Sequence, residues 1–243
     1  FYCFWRMEIF VDFTTLLHRK SLFGLVFQKI YWRIYGRLLG NSATSYRSFV
    51  LSWRFNSMQV SVIRHTKVNV PSSVCYGQTD VELADTFHQE VIQIHTKLES
   101  DFEVIFSSPL SRCQRLAETF SNEIIFDDRL KEFNFGDWEM KSWNEIPSEE
   151  IEPWYADFVE TKTPNGESMQ EMSKRLFDFM NELRNAQYEK VLIVAHGGII
   201  RLMWCYLLQI PIKNAFKIPV NYGEIFQFNL GKTNEEDFIL RKE

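Results

Sequence analysis

The chain is poor in cysteine, has no long uncharged apolar run and carries no excess of positive charge, and each shortage closes off a class of function. Only 4 cysteines occur in 243 residues. Cys3, Cys75, Cys113 and Cys205 are widely spaced, with no C-x-x-C and no His/Cys pair at metal spacing. A disulfide scaffold and a zinc module are both excluded by that pattern, and reduced thiols in a cytoplasmic protein are expected. The longest early uncharged stretch, Ser21 to Gln28, is too short to span a bilayer, and it lacks the ordered regions of a signal peptide, so no membrane association is expected. Net charge is −5, unevenly spread. Eight Lys/Arg stand against Glu8 and Asp12 in residues 1–57, giving +6 there and −11 for the remainder. An acidic main body argues against a nucleic-acid partner. It does not argue against a small anion, provided the cations gather in one pocket.

What is present is core-forming material: 45% hydrophobic and 16% aromatic residues, which excludes a disordered chain. From Met58 onward short apolar runs alternate with segments of helical periodicity. Strands are expected at Gln59–Ile63, Val104–Phe106, Ile124–Phe126, Val191–Ala195, Ile225–Asn229 and Phe238–Arg241. Helices are expected over Leu83–Leu98, Leu110–Phe120, Glu167–Leu183 and Ile199–Leu208, with a break at Pro164-Asn165-Gly166. This alternation implies an α/β fold with a mainly parallel sheet and helices on both faces. Ligands of such sheets sit outside the carboxyl ends of the strands. Arg64-His65, Ser107-Ser108-Pro109 and His196 all fall at such ends.

A single His after a strand is ordinarily structural. Two Arg (Arg64, Arg112) and two His (His65, His196) at three strand exits are hard to explain as packing. Arg grips a phosphoryl group by paired N–H bonds without losing its charge. Helix N-terminal amides add attraction. A neutral imidazole can accept the phosphoryl group while a charged one holds its oxygens. A carboxylic acid can protonate the leaving alkoxide.

Arg64-His65-Thr66, Ser107-Ser108-Pro109-Leu110-Ser111-Arg112, Leu130-Lys131-Glu132, Pro164-Asn165-Gly166-Glu167-Ser168 and His196-Gly197 together resemble, in order, the motifs of the histidine phosphatase (phosphoglycerate mutase-like) superfamily. The match runs from about Met58 to Gly231. The resemblance implies a catalytic pocket at the strand carboxyl ends and a phosphohistidine mechanism with neither metal nor organic cofactor. His65 would be the nucleophile, Arg64, Arg112 and His196 would surround the phosphate, and Glu132 would be the acid. Asp80 fits the family's structural G-x-x-D turn, and Glu139 ranks below Glu132. Cys75–Asp80 and Phe135–Met140, with Arg-His-Thr in place of Arg-His-Gly, resemble alpha-ribazole phosphatases, which would make the substrate a small phosphorylated metabolite of cobalamin nucleotide-loop assembly. Thr66, Tyr76, Gly77 and Trp138 are the candidate substrate-contacting residues on that reading. Pro71 and Val74 replace the Asn and Arg that cofactor-dependent mutases carry after the nucleophile, and the mutases' longer insertion is missing, so hydrolysis is expected over mutase chemistry. Trp138, Trp143, Trp154, Tyr155 and Phe158 read either as a packed lid or as a wall for a flat substrate. A broad or sugar-phosphate phosphatase, and a non-catalytic phosphate-binding module, are the alternatives. The oligomeric state is not legible.

The chain divides at the family's usual start into residues 1–57 and a phosphatase domain, 58–243. Three readings of the basic, aromatic lead stay open: a surface-binding appendage, a disordered tail, or out-of-frame translation. The last rests on Trp32–Gly40, which can be encoded so that the next frame reads GGYTGDCLG, a string resembling the carboxyl-terminal motif of cobalamin-phosphate synthase.

Overall fold

A computed structural model of the chain describes residues 57–98 and 101–242; the expectations for residues 1–57, Ser57 apart, lie outside the described residues. Six strands form one sheet: β1 (Met58–Arg64), β2 (Val104–Ser107), β3 (Ile125–Phe126), β4 (Lys190–Ala195), β5 (Ile225–Leu230) and β6 (Phe238–Lys242), in the order β3-β2-β4-β1-β5-β6. The pairs β1–β4, β2–β4 and β2–β3 are parallel, while β5 runs antiparallel to both β1 and β6. Among the described residues the α-helices are α1 (Phe87–Lys97), α2 (Ser111–Ala117), α3 (Ser148–Ala156), α4 (Met169–Asn185) and α5 (Gly197–Leu208).

Strand periodicity of two explains how both faces of the sheet are covered. Val60 and Val62 of β1, with Val191, Ile193 and Ala195 of β4, join Leu176, Met180 and Leu202 from α4 and α5 in one core. The alternate residues Ile63, Leu192 and Val194 join Phe87, Ile94 and Leu116 from α1 and α2 in a second. The central strands therefore read as continuous apolar runs.

Among the boundaries that differ from expectation, two have a clear local cause. Leu83 bridges to Val68, which holds it out of the helix, so α1 starts at Phe87. Ser168 caps α4 in a reciprocal box with Glu171, which leaves Glu167 outside the helix. No helix was anticipated at α3, whose apolar residues Ile151 and Trp154 complete only one turn of periodicity. They pack with Cys75, Trp138 and Ile146 in a separate cluster beside the main body.

The register sets the site. Arg64, the last residue of β1, pairs with Ala195, the last of β4, and Ser107 at the end of β2 pairs with Val194. Three parallel strands thus end level with one another. His65 and Ser108 each extend the ladder by one further bond to β4, to the carbonyls of Ala195 and Val194 at 3.0 Å.

Candidate active site

His65 leaves β1 buried, and its Nδ1 lies 2.7 Å from the carbonyl oxygen of Thr66. A carbonyl can only accept, so Nδ1 carries the proton and Nε2 keeps its lone pair. Burial first, then the Arg112 and Arg64 guanidiniums, hold the imidazole well below its ordinary pKa, against a smaller upward pull from the Thr66 carbonyl. His65 is therefore neutral at neutral pH.

The second histidine, His196, occupies the N-cap of α5. Its ring meets that of His65 edge-on, with centroids 5.2 Å apart and planes at 63°. Nε2 lies 2.8 Å from the Ser108 hydroxyl, which also accepts the Leu110 amide. Burial, then Arg112, His65 and Arg64, push its pKa down as well. With no anion beside it, His196 is thus held toward its neutral form by burial and by the neighbouring guanidiniums, and a phosphoryl group's negative charge would oppose them.

Arg112, in the first turn of α2, is wholly buried. Nη1 donates to the Thr79 carbonyl at 3.0 Å and Nη2 to the Gly77 carbonyl at 2.5 Å. Its Nε has no partner, and no ion pair holds it among the described residues. A buried guanidinium met only by neutral carbonyls is costly unless an anion comes to it. Arg64 shows the same incompleteness: Nη1 donates to the Val220 carbonyl at 2.7 Å and Nε is buried without a partner.

Glu132 reaches the start of α5. Its carboxylate accepts the amides of Phe133 and Gly198, both at 3.0 Å, the second in the first turn of α5 behind His196. The turn that carries it is held by Arg175, which donates to the carbonyls of Arg129, Lys131 and Glu132 while paired with Glu167 at 2.7 Å. Arg201, one turn along α5, comes within 3.0 Å of the place a Cβ on Gly197 would occupy, and Arg64 within 3.4 Å of the same place.

The remaining candidates divide. Thr66 is buried beside His65 with an unpartnered hydroxyl. Tyr76 lies over Arg112, its ring centre 5.4 Å from the guanidinium carbon. Gly77 makes no open surface: a Cβ there would fall 2.0 Å from the Phe133 carbonyl, so its contribution is the carbonyl that holds Arg112. Trp138 is corrected outright. It is fully buried, donates from Nε1 to Glu150 at 2.8 Å and packs edge-on against Trp154; a ring with no exposed face cannot wall a substrate. Asp80 accepts the Ser111 amide at the start of α2, and Glu139 accepts the amides of Gln78, Thr79 and Phe135, so both acids brace loops. Sequence reasoning missed Arg175 and Tyr222. The Tyr222 ring centre lies 3.8 Å from the Arg64 guanidinium carbon and 5.5 Å from the His65 ring centre.

The model of the histidine phosphatase superfamily (branch 1) matches residues 60–236. The chain belongs to this superfamily. This histidine phosphatase is 32% identical over 166 residues to the Escherichia coli protein named "Probable phosphoglycerate mutase GpmB", covering 63% of this chain and 76% of that one. A Hydrogenobacter thermophilus relative, whose name of phosphoserine phosphatase 2 is provisional, is 28% identical over 178 residues, 70% of this chain and 88% of its own. The solved alpha-ribazole phosphatase of Shigella flexneri matches in fold with a TM-score of 0.66 at 24% identity, over 73% of this chain and 97% of that one. The histidine phosphatase is thus an enzyme of phosphate esters whose relatives are named for different small phosphorylated substrates.

Proposed function

We propose that this phosphatase hydrolyses a small phosphomonoester through a phosphohistidine on Nε2 of His65. The observation that carries the reading is the bond from Nδ1 to the Thr66 carbonyl, which leaves the neutral Nε2 lone pair among Arg64, Arg112 and His196. Nε2 attacks phosphorus, the N–P bond forms and the P–O bond to the leaving group breaks. Glu132, protonated, gives its proton to the departing alkoxide. Water then attacks phosphorus, the Glu132 carboxylate takes a proton from it, and the N–P bond breaks to release phosphate and the neutral imidazole. Arg112 and Arg64 supply the positive charge that offsets the negative charge the transferring group develops. The mechanism assigns no part to a metal or an organic cofactor.

For the substrate we put forward alpha-ribazole 5′-phosphate. Support comes from the segments Cys75–Asp80 and Phe135–Met140, which clasp one another through Glu139 and through the Met140 amide on the Cys75 carbonyl at 2.7 Å. A cytoplasmic setting accords with the free thiols of Cys75, Cys113 and Cys205, all buried. Among the described residues no helix is long and apolar enough to cross a membrane. The test is a panel of alpha-ribazole 5′-phosphate, phosphoserine, 3-phosphoglycerate and sugar phosphates, assayed with EDTA present. Highest kcat/KM on alpha-ribazole 5′-phosphate supports the substrate. Preference for another ester rejects the substrate and keeps the mechanism. Loss of all activity in EDTA, restored by a divalent ion, rejects the mechanism.

A further inference from the structure

Tyr222 belongs to none of the motifs that mark the site. It lies in the loop that enters β5, where the Gly223 amide, in a left-handed turn (φ +66°), donates to the carbonyls of Arg64 and His65 at 3.2 and 3.3 Å. That turn ties Tyr222 to the end of β1. Its ring lies across the Arg64 guanidinium at 3.8 Å, and its hydroxyl meets that of Tyr76 at 2.7 Å. The Tyr76 ring in turn faces Arg112 at 5.4 Å. Burial, then the shared bond, pushes the Tyr76 hydroxyl well above its ordinary pKa, so Tyr76 enters the link as a neutral phenol.

We propose that Tyr222, joined to Tyr76, is a bracket that fixes the phosphate-gripping guanidinium of Arg64, making Tyr222 a positioning residue for phosphate binding and transfer. An unclamped arginine samples many rotamers and loses that freedom on gripping an anion. Here Nη1 is held by the Val220 carbonyl and the guanidinium plane by the Tyr222 face, so little ordering is left for substrate to impose. The contact gains strength as water is excluded, and Arg64 and Tyr222 are both half-buried, with the Arg64 Nε closed off from solvent. Tyr76 extends the bracket to the loop whose Gly77 and Thr79 carbonyls hold Arg112, so both arginines are set by one connected frame.

The inference rests on Arg64 binding phosphate, and the experiment separates the two. Calorimetry with orthovanadate on the full chain reads anion affinity without turnover. Tyr222→Leu should weaken vanadate about tenfold and raise KM for an aryl phosphate by a similar factor, with a smaller change in kcat. Tyr222→Phe keeps the ring face and should stay within about threefold of the native protein. Arg64→Ala should weaken vanadate more than Tyr222→Leu does, and adding Tyr222→Leu to it should cost almost nothing further, because the bracket acts through the guanidinium. Should Tyr222→Leu fail to fold, Tyr222→Gln removes the ring and carries the same expectation. Native affinity in the ring-deleted variant, or full additivity with Arg64→Ala, overturns the bracket alone. Unchanged vanadate affinity in Arg64→Ala overturns the phosphate reading of Arg64 and the bracket with it.

Discussion

His65 and His196 meet edge-on with ring centres 5.2 Å apart, both buried and both depressed in pKa by burial and then by Arg112. The pair cannot charge cheaply on its own. A phosphoryl group reverses the sign of the local field, so proton affinity and phosphate binding are coupled through the two guanidiniums.

The same pair makes stability depend on pH. In the unfolded chain each imidazole titrates at about 6.5, and in the folded chain it titrates lower. Between those values the unfolded state holds more protons, so the stability present above about pH 6.5 is lost as pH falls toward the folded values. The slope is at most about 1.4 kcal/mol per pH unit for each histidine. Urea unfolding of the native protein should weaken from pH 7 to 5, and His196→Gln should flatten part of that fall. A variant that tracks the native curve would show that His196 charges freely in the fold.

Nucleophilic attack by Nε2 makes a direct demand. His65→Ala should lower kcat by about a thousandfold or more, and the acid-labile, base-stable phosphoenzyme trapped from a rapid quench of the native enzyme should vanish. Melting should stay near native, since the ring's hydrogen bond goes to its own neighbour, Thr66. A phosphoenzyme persisting in that variant would move the covalent step to another residue.

Glu132 is assigned the leaving-group proton, and leaving groups differ in how much they need it. Glu132→Gln should cost about a hundredfold or more on an alkyl phosphate and under about tenfold on 4-nitrophenyl phosphate. Equal losses on the two would strip Glu132 of the acid role. Arg175→Lys should reproduce a milder form of the same asymmetry, because a single ammonium cannot hold three carbonyls and Glu167 together.

Strands β1, β2 and β4, and the position of Arg64-His65, Ser107-Ser108 and His196 at their ends, were legible because buried parallel strands leave continuous apolar runs and these residues close or follow each run directly. Glu132 was legible only through resemblance, since nothing in Leu130-Lys131-Glu132 by itself says that Arg175, far along the chain, will hold the turn. Tyr222 was invisible for the same reason: it reaches His65 from a loop before β5, with no periodicity to mark it. Trp138 was misread because aromatic richness is common to cores and to binding walls, and only burial separates them. The helix α3 was missed because it docks on a separate cluster and completes too few turns to show an apolar face.

Trp138 supplies a check on that correction. Trp138→Phe removes the Nε1 bond to Glu150 and leaves space beside Trp154, which should cost about 1–3 kcal/mol in urea unfolding. KM should stay within about twofold of native, which is under roughly half a kcal/mol of binding. A KM that rose tenfold with stability intact would restore Trp138 to the substrate.

Gly77 tests whether Arg112 is held by backbone geometry. An added methyl would sit 2.0 Å from the Phe133 carbonyl, 2.7 Å from a Glu139 carboxylate oxygen and 2.9 Å from the Phe135 ring. The first obstacle is main chain and the second is pinned by the amides of Gln78 and Phe135, so neither can swing aside as a free side-chain end would. The segment must move instead, and the Gly77 carbonyl that receives Arg112 Nη2 moves with it. Gly77→Ala should therefore cost about 1–3 kcal/mol of stability. It should also weaken competitive inhibition by orthophosphate about tenfold, comparable to losing one charge-assisted hydrogen bond. The two losses are separable: Leu116→Ala, which opens a cavity in the core around α2 away from the carbonyls that hold Arg112, should lower stability by about 2–5 kcal/mol while leaving phosphate inhibition near native. If Gly77→Ala loses stability but inhibits like the native enzyme, Arg112 does not depend on the Gly77 carbonyl for its aim, and the guanidinium must be set by Thr79 and the Tyr76 face alone.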